Sequence, residues 1–173
     1  IYWLSPYTFS KKKGLEGYSG VKRRFEIKYN SKINDIIVID DYAHHPSEVL
    51  ATLNAAKNGW NKKIVAVFQP HLFSRTQNFY TEFAKSLFIA NTIIITDIYP
   101  ARERPISGVS SQLIINQLKK MNHEKIIFAK EFKKIPEIIK KITRKNDMII
   151  FMGAGNINST IKDTIEHIKK IQS

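Results

Sequence analysis

Five times between residue 33 and the C-terminus, a short run of β-branched apolar residues gives way to a longer segment whose apolar positions recur at helical spacing. This alternation predicts strands at 33–40, 63–69, 92–97, 125–129 and 147–152, and helices at 46–58, 76–89, 110–121, 131–144 and 156–171. The first helix carries Val49, Leu50, Leu53 and Ala56 on one stripe, the second Phe79, Phe83, Leu87 and Phe88. Strands that follow one another through a helix run parallel, because the crossover returns the chain to the same end of the sheet. The expected fold class is therefore α/β, a mostly parallel sheet with helices on both faces.

That architecture gives the polar residues a common address. In the run IIVIDDYAHHPSEV, four apolar residues (Ile36 to Ile39) stop at two carboxylates, Asp40 and Asp41, which belong at the exit of a buried strand rather than in its middle. Tyr42, His44 and His45 follow, and Pro46 opens a helix with Glu48 in its first turn. Gln69, Pro70, His71 and Arg75 follow the second parallel strand, Asp97 ends the third, and Gly153 to Asn156 follow the last. All sit at carboxyl ends of strands, the edge at which open α/β sheets bind ligands.

Ahead of these units, residues 1–20 show no complete core pattern and read as the end of something upstream. Lys22, Arg23 and Arg24 form either a solvated turn or an anion clamp before a short strand at 25–29, with Asn30 and Ser31 turning the chain into the next strand.

A formal charge of +13 raises the question of nucleic acid. Of the 28 basic residues 22 are Lys, dispersed along helix faces, and the chain also holds 28 Ile, a bias of overall composition rather than a basic stripe. No nucleic-acid partner is expected. No apolar run reaches the roughly 18 to 20 residues of a membrane span, and no signal peptide is evident, so a cytoplasmic protein off the membrane is expected. The absence of cysteine excludes disulfides and thiolate-bound metals.

Several chemistries compete for the polar residues. Gly153-Ala154-Gly155 suits either an anion site or a tight turn, but Asn158 stands where a dinucleotide fingerprint needs its third Gly. A metal on His44, His45, His71, Asp40 and Asp41 is disfavoured, since adjacent histidines diverge and one of the pair at most reaches His71; no metal site is expected. Ser47, Ser74 and His71 lack a nucleophile elbow. Arg75, one helical turn from His71, suits a carboxylate. The loop at 99–108 reads equally as a lid or as an ordinary connection.

Five stretches taken together, GVKRRFE, DDYAHHPSE, FQPHLFSRT, DIYPARERPISGV and GAGNI, closely resemble the Mur ligases in order and spacing over residues 14–171. Within that family they are most similar to the branch that joins L-alanine to UDP-N-acetylmuramate in peptidoglycan synthesis. The branch that recycles a ready-made tripeptide shares the DD-aromatic-AHHP run but lacks QPH-x-x-SRT, and the branch adding the third stem residue shares only a shorter form. A non-catalytic relic that keeps the amino-acid pocket is a further alternative.

The resemblance implies the C-terminal, Rossmann-like domain of an ATP-dependent amide-forming ligase working through an acyl phosphate. Residues 1–30 would be the tail of the central ATP-binding domain with the hinge, and 31–173 the C-terminal domain. It implies that Arg24 reaches the ATP phosphates and that Asp41 contacts the ribose. Tyr42, His44, His71 and Arg75 would line the pocket for L-alanine and the acyl phosphate, with Arg24, His44 and His71 as the catalytic set. Leu72 stands where some members carry a further Arg, which places more of the carboxylate binding on Arg75 and His71. ATP and Mg2+ would be bound mainly by upstream Mur ligase domains, since no G-x-x-x-x-G-K-[ST] loop occurs in the 173 residues, and this chain alone is expected to be inactive.

Overall fold

A computed structural model describes residues 23–170. Expectations for residues 1–22, including the domain tail, lie outside the described residues. Six strands form one sheet: β1 (Glu26–Ser31), β2 (Ile36–Asp41), β3 (Lys63–Phe68), β4 (Thr92–Thr96), β5 (Ile126–Ala129) and β6 (Asp147–Met152). Their spatial order is β1-β2-β6-β3-β4-β5, with β1 antiparallel to β2 and every other pair parallel. The mostly parallel α/β sheet of the sequence reading is thus present. The domain boundary expected at residues 30 and 31 falls inside β1.

The helices are α1 (Pro46–Gly59), α2 (Phe73–Leu87), α3 (Gln112–Lys120), α4 (Ile135–Ile142) and α5 (Ile161–Lys169). Successive strand side chains point to opposite faces, so β2 sends Ile37 and Ile39 one way and Ile36 and Val38 the other, all buried. The first pair packs in the layer of Val49 and Leu53 of α1, Phe83 and Leu87 of α2, and Ile114 and Leu118 of α3. The second joins Ile135 and Ile139 of α4 and Ile161 and Ile168 of α5. With both faces covered, the strands must be apolar throughout, which explains the continuous runs; each fully buried Phe or Ile contributes about 1.5–3 kcal/mol.

Several expected boundaries move. Asn30 and Ser31 lie within β1, and the turn occupies 32–35, where Asp35 takes φ 54° and Ile33 is exposed. The last two helices begin later than their apolar pattern, because Phe132–Lys134 and Ile157–Thr160 are 3-10 turns. Of the predicted apolar stripes, Leu50, Phe79 and Phe88 are exposed; Phe79 and Phe88 rest edge-on against the imidazoles of His45 and His123.

Topology places the site. β6 arrives last and fills the slot between β2 and β3. After β2 and β3 the chain turns to the α1–α3 face, whereas after β6 it turns to the α4–α5 face. The loops part there, opening a crevice beyond the carboxyl ends of the three central strands.

Candidate functional site

Asp40 and Asp41 end β2 and are both buried. Asp41 is held by backbone: its Oδ2 accepts from the Phe25 amide at 2.9 Å and its Oδ1 from the Ala43 amide at 2.7 Å. A carboxylate has about four lone-pair sites, so these two bonds leave room for a further donor. Burial pushes Asp40 above the ordinary carboxylate value, against the pull of the Arg23 guanidinium 3.4 Å away.

The next residues diverge as adjacent side chains must. His45 is the N-cap of α1: its Nδ1 accepts from the Ser47 amide, while Glu48 Oε2 accepts from the His45 amide in a reciprocal capping box. His44 turns toward β3 instead, its ring 5.7 Å from that of His71. The Nδ1 of His44 is 2.9 Å from the Tyr42 carbonyl and 3.2 Å from Glu48 Oε2. Both neighbours only accept, so Nδ1 carries a proton, and in the neutral ring the lone pair is on Nε2. Burial alone would raise Glu48, but the amides of His44 and His45 outweigh it and hold the carboxylate below its usual value.

His71 and Arg75 meet across one turn of α2, as their spacing predicts, with Nη1 of Arg75 3.4 Å from His71 Nδ1 and 3.4 Å from the His44 carbonyl. A guanidinium can only donate, so His71 is protonated on Nε2. Burial lowers its pKa, and the positive charge of Arg75, with that of His44 when protonated, lowers it further, opposed by Glu103. His71 is therefore a neutral donor at pH 7.

The helix bearing Arg75 starts at Phe73, three residues before its predicted start. Its N-cap is Leu72, at φ 71° and ψ 136°, a conformation that costs about 1–3 kcal/mol in a non-glycine residue. Three bonds hold it there: the Leu72 amide donates to the Tyr99 carbonyl, and the Thr76 amide and hydroxyl donate to the Leu72 carbonyl. The cap comes from far along the chain, as Glu103 accepts from the amide and the hydroxyl of Ser74. The loop at 99–108 is thus bonded to the β3–α2 turn, and Tyr99 stacks on His71 with centroids 5.7 Å apart and planes at 17°. Ser47 and Ser74 are spent on His45 and Glu103, so neither is paired with His71.

At the exit of β6, the glycine turn is a packing device. The carbonyl of Gly153 accepts from Arg23 Nη2 at 2.6 Å and that of Gly155 from Nη1 at 3.4 Å, while the Gly153 amide donates to the backbone carbonyl of Asp41. The Ile157 amide, at the start of the following 3-10 turn, donates to Gln69 Oε1. Arg23, Gln69, Tyr99 and Glu103 are the site residues to which sequence reasoning gave no role of their own.

Beside α1 lies a cavity of about 380 Å3 lined by Arg24, Asp41, Tyr42, Glu48 and the small residues Ala51, Thr52 and Ala55 of that helix. Arg24 is exposed, whereas Arg23 is packed against the Tyr42 ring at 5.0 Å. The candidate residues thus fall into two groups joined at Tyr42, which is edge-on to His44: Arg24 and Asp41 at the cavity, and His44, His71 and Arg75 at the β3 exit. Among the described residues, no group of three or more His, Asp or Glu side chains is placed to hold a metal ion, and no helix is long and apolar enough to cross a membrane.

Comparison with known proteins sets this arrangement in a family. The family model described as "Mur ligase, glutamate ligase domain" matches residues 23–155. A UDP-N-acetylmuramate–L-alanine ligase of Clostridium tetani is 46% identical over 84% of the chain and 31% of its own length; that of Geotalea daltonii is 38% identical over 91% and 34%. The chain spans about a third of the length of these curated relatives. Among solved structures, the UDP-N-acetylmuramate-alanine ligase of Thermotoga maritima superposes with a TM-score of 0.71 at 30% identity, over 92% of this chain and 32% of that one. A murein peptide ligase from Psychrobacter arcticus shares the fold at TM-score 0.70 and 21% identity, over 90% of this chain and 32% of that one. Sheet order, crevice and sequence converge on one assignment: the chain belongs to the Mur ligase family and contains its C-terminal domain.

Proposed function

We propose that this domain belongs to an ATP-dependent ligase that joins L-alanine to UDP-N-acetylmuramate through an acyl phosphate, in the cytoplasmic stage of peptidoglycan synthesis. The observation that carries the reading is the group of Arg75, His71 and His44 at the exit of β3, beside the cavity of Arg24, Asp41 and Tyr42. The names of relatives 38–46% identical point the same way.

Arg75 supplies the fixed positive charge for the alanine carboxylate, with Tyr42 and His71 on the pocket wall. The Nε2–H of His71 donates to oxygen as negative charge develops on the acyl phosphate, a task that a neutral imidazole performs without needing a low pH. The lone pair on His44 Nε2 takes the proton that the amine sheds as its nitrogen bonds to the acyl carbon and phosphate departs. Arg24 bears on the ATP phosphates when the domains close.

The cavity fits the sugar end of a nucleotide: small residues on α1 leave space, and Asp41 retains lone pairs for a hydroxyl. The described residues do not fit magnesium. Metal and triphosphate would be held by the upstream central domain, and this chain alone is expected to be inactive.

The test is phosphate release with ATP, UDP-N-acetylmuramate and L-alanine, by this chain and by the chain joined to its upstream domains. Release by the longer polypeptide alone is expected; release by neither refutes the ligase assignment.

A further inference from the structure

Around Arg24 the backbone is strained on both sides. Arg23 takes φ 61° and Phe25 φ 46°, and each such non-glycine residue costs free energy unless its surroundings over-determine it. The surroundings do so. The Arg23 amide donates to Glu26 Oε2, the Tyr42 amide donates to the Arg23 carbonyl at 2.6 Å, and the Phe25 amide donates to Asp41.

The side chain of Arg23 completes the fastening. Its Nε faces the carboxylate of Asp40 at 3.4 Å, its two terminal nitrogens donate to the carbonyls of Gly153 and Gly155, and its Cζ lies over the Tyr42 ring, 5.0 Å from the centroid. One guanidinium thus ties the entry to β1, the exit of β2 and the exit of β6. Asp40 is only 2% exposed, and removing one partner of so buried a pair leaves the other charge uncompensated. The ligase reading gives Asp40 no task of its own, although it sits beside the residue at the cavity wall.

We propose that the Arg23–Asp40 pair is a positioning device: it locks Arg23 to Phe25 in their strained turn and thereby fixes Arg24 at the cavity it lines with Asp41 and Tyr42. Neither Arg23 nor Asp40 is a catalytic residue; both act through Arg24. The consequence for turnover rests on the ligase reading, whereas the lock itself does not.

Two readouts on the full-length polypeptide test this separately. In phosphate release, Asp40→Asn is expected to lower kcat tenfold or more while the KM for L-alanine stays within twofold. In an Arg24→Ala background, the same Asp40→Asn change should alter kcat less than twofold, because the group it positions is gone. Losses that multiply, as for two independent sites, would overturn the proposal. In amide hydrogen exchange, Phe25 and Tyr42 should exchange at least tenfold faster in Asp40→Asn, with Val67 and Ile150 of the central strands unchanged. Arg23→Lys keeps the charge beside Asp40 but lacks the fork that serves both carbonyls, so it should behave as Asp40→Asn does; wild-type exchange at Phe25 in both variants overturns the lock. If the unaltered polypeptide releases no phosphate, the ligase reading fails on that result, and the exchange data decide the lock alone.

Discussion

Gly155→Ala tests how tightly the crevice is built. A Cβ at this position would meet Gln69 Oε1 inside contact distance, and would lie 2.6 Å from Cγ and 2.8 Å from Cδ2 of Tyr99. Neither neighbour yields freely. Gln69 is 1% exposed, accepts from the Ile157 amide at 3.1 Å and donates to Asn156 Oδ1 at 3.0 Å, while Tyr99 stacks on His71. Overpacking costs about 1–3 kcal/mol, and loss of one Gln69 bond adds about 0.5–1.5 kcal/mol. Together they destabilise by roughly 1.5–4.5 kcal/mol, which at ~2–4 °C per kcal/mol lowers Tm by about 3–18 °C in a domain of this size. Thermal unfolding followed by circular dichroism measures it. Gly59→Ala is the control: nothing lies within 4 Å of its Cβ and it ends α1, so it should raise stability by ~0.4–1 kcal/mol. A Gly155→Ala protein that melts within about 1 °C of wild type would refute the close packing of the glycine turn against Tyr99.

Other outcomes follow from the same geometry. Arg75→Ala in the full-length polypeptide should raise the KM for L-alanine at least tenfold, about 1.4 kcal/mol, and that for ATP far less; equal rises would count against a carboxylate role. His71→Ala should lower kcat/KM for L-alanine by well over twofold, and a smaller change would remove it from the pocket. NMR titration should place the His71 pKa below 6.5, rising when Arg75 is replaced by Ala. Between that lowered value and 6.5 the unfolded chain holds a proton that the native ring lacks, so this contribution to stability is present above 6.5 and is lost as pH falls through the window. Glu103→Ala should expose the first turn of α2, speeding amide exchange at Ser74 and weakening L-alanine binding, with Glu103→Gln recovering much of both because it keeps an acceptor; identical behaviour of the two variants would contradict the capping role.

What the sequence made legible is what short-range rules govern. The His71–Arg75 contact follows from one helical turn, the divergence of His44 and His45 from their adjacency, and the apolar runs from a sheet covered on both faces. What it hid is supplied from far along the chain. The start of α2 was misplaced because its cap, Glu103, lies 29 residues from Ser74, and local rules find no polar N-cap at Leu72. Arg23 and Arg24 are the same residue type in adjacent positions, and no local pattern tells the fastened one from the exposed one. The difference arises because β6 lies between β2 and β3 and brings the Gly153 and Gly155 carbonyls within reach of residue 23, some 130 positions earlier. The same insertion forms the crevice. The seat of β6 in the sheet and the fastening of the turn before β1 therefore rest on the same hydrogen bonds, those of the Arg23 guanidinium to the Gly153 and Gly155 carbonyls.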